Sequence, residues 1–303
     1  MDYRRQKILK GLLEQSAMTK CFFCNNQTLQ RYKKLKGATI YICRNCDVSI
    51  VKKRKNKVRE VLYNFETYDK NSERLKNNFQ KLAEEIHKIK SSGSVLDIGG
   101  GFGLLSSLLL ALGRYKLEVL EPEVKPYYLK DKKYTLYKKS IENFLKKKSA
   151  KKYDLILMFD VIEHIVSPLE VLKKLRNKLS KDGVIIIQTP NYKSLMQYMV
   201  TDWSWWMIED HKFLFSARSF TYYMDKVGLR IEYLKTYERW YDFKKNLDGN
   251  FMQIKNKYVR KFYKVLFFSL FFPFYFIFRE GIWRVGYGGL LFAVLENKLP
   301  SYK

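Results

Sequence analysis

Val95-Leu96-Asp97-Ile98-Gly99-Gly100-Gly101-Phe102-Gly103 is the stretch on which the fold turns. An apolar run from Ser94 to Ile98 carries one acid, meets a cluster of four glycines, and is followed by Leu104–Leu112 without a proline. That order reads as strand, tight turn and helix. Glycine at the turn lets the backbone reverse sharply and approach a ligand, while the N–H groups opening the helix stay free to donate. A dinucleotide fingerprint, Gly-x-Gly-x-x-Gly, is out of phase here: counted from Gly99 its third position is Leu104, and from Gly101 it is Ser106.

The spacing that fits is Asp-x-Gly-x-Gly-x-Gly through Asp97, Gly99, Gly101 and Gly103. On these residues the chain resembles the class I S-adenosylmethionine-dependent methyltransferases. The resemblance implies a Rossmann-like, seven-stranded α/β sheet with helices on both faces, and S-adenosylmethionine as cofactor. It also implies that the first strand's loop holds the methionine and ribose part of that cofactor. Farther along, Leu117-Glu118-Val119-Leu120-Glu121-Pro122 reads as the second strand ending in an acid. Glu121 lies roughly twenty residues past the glycines, the distance at which a carboxylate on a neighbouring strand tip can accept hydrogen bonds from ribose hydroxyls. Residues 134–137 read as a third strand, followed by Ser140 and Ile141, where the family places its adenine contacts.

A second informative stretch runs from Tyr153 to His164, Tyr-Asp-Leu-Ile-Leu-Met-Phe-Asp-Val-Ile-Glu-His. It resembles the fourth strand and following turn of the subfamily that includes ubiquinone-biosynthesis O-methyltransferases and many sugar- or lipid-cluster enzymes. A helix over 168–179, a turn at Lys181-Asp182-Gly183, a strand over 184–188 and Thr189-Pro190-Asn191 continue that pattern. The resemblance puts Phe159 against the cofactor. Base-, Asn- and Gln-directed N-methyltransferases commonly carry an Asn/Asp-Pro-Pro-aromatic run after this strand, and its absence counts against a nucleic-acid amino group as acceptor.

Methyl transfer from a sulfonium is an in-line displacement, so positioning supplies much of the rate, and a base is needed only when the acceptor must lose a proton. Two histidines are candidates. His164 is spaced to share one side of a helical turn with Asp160 and Glu163, and reads as a base, as part of a carboxylate-rich divalent-metal site, or as an anchor of the turn. His211 follows Glu209-Asp210 in a loop with Trp203, Trp205 and Trp206. It reads as a base tuned by a neighbouring carboxylate or as a loop anchor, and the flat rings suit a sugar, quinone or prenyl acceptor. Ser216 is placed to cap a helix over 217–227 that ends at Gly228. His87, beside Lys88 and Lys90, reads as a surface residue.

Cys21-Phe-Phe-Cys24 and Cys43-Arg-Asn-Cys46 hold the only cysteines in the chain. Two such knuckles, separated by a loop of ribbon length, supply four soft ligands for tetrahedral Zn2+ and leave no open coordination position, so the metal's role is structural. Two disulfides or free thiols are the alternative, disfavoured in a reducing compartment. The expected organisation is an N-terminal arm (1–19), a zinc ribbon (20–52), a helical connector (53–92) in which Tyr63, Phe65 and Tyr68 are candidate aromatic caps, and the methyltransferase domain (93–303) with an insertion at 240–284.

That insertion, between the sixth and seventh strands, carries Lys255, Lys257, Arg260, Lys261 and Lys264 ahead of an apolar run from Val265 to Phe278 that Pro273 interrupts. A single membrane crossing would strand the last strand across the bilayer. The run reads instead as an interfacial helix or as a lid buried on the core. With 58 basic against 30 acidic residues the net charge is +28, which favours anionic partners without choosing among them. The N-terminal apolar segment is broken by Lys10 and Glu14, a poor signal peptide, so a cytoplasmic chain is expected, peripheral on the inner face of the cell membrane. The sequence therefore predicts an S-adenosylmethionine-dependent methyltransferase acting on oxygen of a glycan, lipid-linked sugar or quinone-like acceptor at that face. Two further readings stay open: an rRNA or tRNA methyltransferase gripping phosphates through ribbon and charge, and a non-catalytic binding protein on the same fold.

Overall fold

The computed structural model describes residues 20–27, 29–53, 72–123, 133–147, 149–200 and 203–298. The expected N-terminal arm and the aromatic trio Tyr63, Phe65 and Tyr68 lie outside the described residues. In chain order come β1 (Leu29–Leu35), β2 (Ala38–Cys43), β3 (Ser49–Lys53), α1 (Ser72–Ile89), β4 (Ser92–Ile98), α2 (Leu104–Leu112), β5 (Arg114–Leu120) and β6 (Thr135–Tyr137). There follow α3 (Ile141–Phe144), β7 (Tyr153–Phe159), α4 (Pro168–Arg176), β8 (Leu179–Pro190), α5 (Leu195–Met199) and β9 (Phe213–Leu214). The last elements are α6 (Ala217–Lys226), β10 (Leu229–Tyr237), α7 (Trp240–Phe251), α8 (Lys257–Arg284) and β11 (Leu290–Asn297).

Seven strands form one sheet in the order β10-β11-β8-β7-β4-β5-β6. β4 pairs in parallel with β5 on one side and β7 on the other, with Asp97 opposite Val119 and Leu157. β5 pairs in parallel with β6, and β7 with β8. The inner strands read as near-continuous apolar runs because both their faces are covered; Leu155 to Met158 and Ile185 to Ile187 are fully buried. From β4 the chain winds outward to β5 and β6, then crosses to β7 and winds the other way. The crevice beyond the ends of β4 and β7 is therefore the switch point, where sheets of this kind bind ligands. The sequence expectation of a turn at 181–183 gives way to one longer strand: β8 runs through Gly183 and shifts register opposite Tyr153 and Leu155.

Two compact units divide the chain. One comprises Arg59–Gln188, Tyr223–Tyr233 and Ala293–Lys303, and the other Met1–Val58, Thr189–Tyr222 and Leu234–Phe292. This spatial grouping differs from the sequential division into ribbon, connector and catalytic domain. In the second unit, β1, β2 and β3 form an antiparallel ribbon, and β9 extends it by pairing Phe213 with Ile50 and Leu214 with Ser49. Its buried core joins Ala38, Ile40 and Val51 of the ribbon to Trp203, Trp206, Leu247 and Tyr275. Trp203 and Trp206 are each 1% exposed. The expectation that these rings cover an acceptor is corrected: each fills the ribbon's core, where a buried indole removes far more apolar surface from water than it would in a loop. Pro273, expected to interrupt the apolar run, sits inside a continuous 28-residue α8. Aromatic contacts on both sides of it, Trp240 tilted against Phe272 and Phe243 stacked on Tyr275, offset the roughly 3 kcal/mol that an interior proline costs.

Candidate functional site

The glycine loop sits at the end of β4 and opens α2. Gly99, Gly101 and Gly103 all have positive φ, 72°, 53° and 76°, a region glycine enters at no steric cost. Each glycine has its own reason to lack a side chain. A Cβ on Gly99 would stand 2.3 Å from Val161 Cγ2, and one on Gly103 2.3 Å from the Tyr134 hydroxyl. Gly101 is the opposite case: a Cβ there would meet nothing within 4 Å, so the loop faces open space at that point. Its N–H donates to Glu121 Oε2 at 2.9 Å, and Glu121 Oε1 accepts from the Glu123 N–H at 2.9 Å. The carboxylate at the tip of β5 is thus held over the glycine loop.

Asp97 is 3% exposed, and its Oδ2 accepts from the Ser106 hydroxyl at 2.5 Å. Burial, opposed by that hydrogen bond and reinforced by the nearby Glu121 charge, pushes its carboxyl up to about 6. Asp97 and Glu121 therefore lie near enough for each to feel the other's charge. Ser140 caps α3, its hydroxyl accepting from the Asn143 N–H, and Ile141 is buried behind it. Tyr134, which sequence reading took only as the start of a strand, closes on Gly103; nothing in its local pattern signals that role.

Across the switch point, Phe159 ends β7 and Asp160 follows with φ 54°, a conformation a non-glycine residue adopts at a cost. Two bonds to Gln188 hold it there: the Asp160 N–H donates to the Gln188 carbonyl at 2.9 Å, and Gln188 Nε2 donates to Asp160 Oδ1 at 3.1 Å. Such strain at a strand tip is often stored at functional sites. Ile162–His164 form one 3-10 turn in which Glu163 is fully buried and His164 half-buried.

In the other unit, His211 is 1% exposed, and its Nδ1 lies 2.9 Å from the Trp205 carbonyl. That backbone bond orients the ring. Ser216 does cap α6: its Oγ accepts from the Ser219 N–H at 3.1 Å, and the Ser216 N–H donates back to Ser219 Oγ at 2.8 Å. His87 is corrected from a surface residue to a half-buried one, its Nδ1 3.0 Å from the Tyr115 hydroxyl, because α1 packs its inner face beside α2. Glu238 was missed: it is buried, 8% exposed, and desolvation with the neighbouring Asp242 charge raises its carboxyl to about 8. It lies just past the end of β10, in a connection that carries no sequence signal of burial.

Cys21, Cys24, Cys43 and Cys46 bring their sulfurs within 4.8 Å of one another. Cys21 Sγ lies 3.7 Å from Cys46 Sγ, and Cys24 Sγ 3.5 Å from Cys43 Sγ. Four thiolates about 2.3 Å from one ion stand about 3.8 Å apart at tetrahedral angles, so the sulfurs fit such an ion. Both knuckles fold alike: the Asn25 N–H donates to the Cys21 carbonyl, the Asp47 N–H to the Cys43 carbonyl, and Asn25 and Asp47 share positive φ. Asp47 then ties the second knuckle to its unit, accepting from the Tyr192 hydroxyl at 2.6 Å and from the Ser216 hydroxyl at 2.5 Å, with Lys193 Nζ 2.9 Å away.

Comparison with known proteins bears on this geometry. A family model described as "Methyltransferase domain" matches residues 68–234. The ubiquinone biosynthesis O-methyltransferase of Glaesserella parasuis serovar 5 (strain SH0165) is 29% identical over 119 residues, 35% of this chain and 48% of that one. That of Pelagibacter ubique (strain HTCC1062) is 33% identical over 123 residues, 37% and 50% of the two chains. The chain spans about half the length of the curated relatives it matches. Among solved structures, a SAM dependent methyltransferase from Archaeoglobus fulgidus is 18% identical and covers 78% of this chain and 100% of its own, with a TM-score of 0.52; it shares the fold.

Proposed function

The chain belongs to the methyltransferase-domain family, and from that premise we propose that it transfers the methyl group of S-adenosylmethionine to an oxygen of a glycan, lipid-linked sugar or quinone-like acceptor. The observation that carries the reading is Gly101. Its backbone faces open space, and its N–H meets the carboxylate of Glu121, which together make a cradle with both a donor and an anion for a ribosyl, cationic ligand. S-adenosylmethionine supplies an electrophilic methyl group when bound. The chain's part is to hold and orient: Glu121 would accept from the ribose hydroxyls, the Gly99–Gly103 backbone would line the methionine and ribose side, and Ser140 and Ile141 would border the base. Asp97, ionised above pH 6, adds negative charge where the ligand carries positive charge. Phe159 and Asp160 fix the floor beyond β7. His164 is the candidate base for a hydroxyl acceptor, and His211 the second. Half-matched O-methyltransferase relatives support oxygen as the acceptor atom.

The four thiolates we assign to structural zinc, since they fit a tetrahedral ion and leave no open position. A cytoplasmic location goes with this reading, because that compartment keeps thiols reduced. Titration calorimetry with S-adenosylhomocysteine tests the proposal. The wild type releases heat, Gly101→Arg releases none because its side chain fills the open space, and Glu121→Gln binds about tenfold to a hundredfold more weakly, the cost of losing charge-assisted hydrogen bonds. Absence of heat from the wild type would leave only a non-catalytic protein on this fold.

A further inference from the structure

α8 is at once the longest helix among the described residues and one of the least covered. Along its apolar stretch only 6% is buried. Residues at four-residue spacing, Tyr258, Phe262, Leu266, Leu270, Phe274 and Phe278, are all exposed; the row turns about 40° round the helix at each step, so Leu266, Leu270 and Phe274 share one face. The other side packs through Phe267, Phe271 and Tyr275 against the core that includes Phe243 of α7. Buried and exposed faces are thus equally apolar, which a water-facing helix does not require.

Beside the N-terminal half of α8, α7 and α8 flank an open groove of about 600 Å³. Lys244, Lys257, Arg260, Lys261 and Lys264 line it, and its floor is Trp240, Phe268 and Phe272. Asp248 is the one carboxylate in the lining, and Lys264 already pairs with it at 2.6 Å. The groove therefore has a surplus of cations over an aromatic floor, continuous with the exposed stripe. A ligand that complements both must carry an anion attached to a long apolar body.

The ends of the insertion fix how it can meet such a ligand. Thr236 Oγ1 donates to the Trp283 carbonyl at 2.5 Å, and the Gly288 N–H donates to Thr236 Oγ1 at 3.0 Å. The segment between β10 and β11 leaves and returns at one place, so α8 cannot cross a bilayer once and end on the far side. A 28-residue helix, about 42 Å long at 1.5 Å per residue, can lie along an interface instead.

We propose that α7 and α8 form a dock for an anionic phospholipid bilayer: α8 lies in the interface, its Leu266–Phe274 face enters the acyl boundary, and the cationic groove receives lipid phosphate. Amphipathic helices bind bilayers through this pairing of apolar area with headgroup charge. Nucleic acid would satisfy the cations and leave the apolar stripe in water. The proposal does not rest on the methyl-transfer reading, because membrane binding is measured without cofactor.

Flotation of the full chain with vesicles tests it. The wild type rises with vesicles of phosphatidylcholine and phosphatidylglycerol and stays behind with phosphatidylcholine alone. Replacing three groove cations together, Lys257→Gln, Arg260→Gln and Lys261→Gln, lowers partitioning about a hundredfold, since each basic residue near an anionic surface contributes about fivefold. Leu270→Ser with Phe274→Ser, both in the exposed stripe, lowers it at least about tenfold. Unchanged circular dichroism and thermal midpoint in both variants show that the fold is intact. Three results overturn the proposal: equal binding to uncharged vesicles, flotation indifferent to the stripe variant, or complete release by millimolar inorganic phosphate, which would make the groove a site for the free anion. Binding to single-stranded RNA that the cation variant loses and the stripe variant keeps, with no flotation by the wild type, would assign the surface to nucleic acid.

Discussion

Asp97 concentrates the conflict between folding and binding in one carboxyl group. Its pKa in the folded chain, about 6, stands above its ordinary 3.8 because burial penalises the charge. A group raised in this way stabilises the fold fully below its unfolded pKa and loses that contribution as pH rises through the folded one, about 3 kcal/mol between pH 4 and 6 at 1.36 kcal/mol per unit. At neutral pH the side chain is ionised and costs stability, and its compensation is attraction for a cationic ligand. Asp97→Asn keeps an acceptor for the Ser106 hydroxyl. We expect it to be more stable than wild type at pH 8, by up to about 3 kcal/mol in urea denaturation, with no gain at pH 4 and weaker S-adenosylmethionine binding at pH 8. In the wild type, cofactor affinity falls as pH drops below 6, because protonation removes the charge the cation needs.

Pro273 shows at the scale of an element how tertiary contacts override a local signal. Proline removes one backbone donor and crowds the preceding turn, yet α8 passes through it because Phe268, Phe271, Phe272 and Tyr275 pack against α7 and the core on either side. Such a helix retains the proline's cost. Pro273→Ala is expected to raise the stability of the chain by up to about 3 kcal/mol, read as a higher thermal midpoint, and to leave cofactor binding unchanged. The tryptophan loop obeys the same rule in reverse: two of three indoles that the sequence offers to an acceptor, Trp203 and Trp206, become interior where the neighbouring ribbon needs filling. His211 is buried with them, and its ring is fixed by a backbone carbonyl that no side-chain pattern encodes.

Across the whole molecule, the parts legible in sequence were those with a strict local period or spacing. The glycine loop, the acid after the second strand, the positions of the seven strands along the chain and the two cysteine knuckles each follow from residues close together in the chain. What escaped were contacts between distant segments: Tyr134 closing on Gly103, β9 joining the ribbon, Glu238 becoming buried, and the pairing of Asp160 with Gln188. The ribbon is the clearest case. Its knuckles announce a metal, and its dependence on segments some 150 residues away is written nowhere near them. Stripping the metal with a strong chelator, or Cys43→Ser, is expected to loosen the ribbon and the core it shares, seen as lost near-ultraviolet circular dichroism and a lower thermal midpoint, while metal analysis of the wild type returns one zinc per chain. The core over β2 also has a history. It takes residues from Ala38 to Tyr275, so a ribosome adding about 5–20 residues per second has the apolar side of the ribbon outside for about 10–50 s before its cover exists. During that interval the β1–β2–β3 pairing and, on the zinc assignment proposed above, an ion between the knuckles are what fasten the nascent strands, so metal supply during translation is expected to raise the yield of native protein.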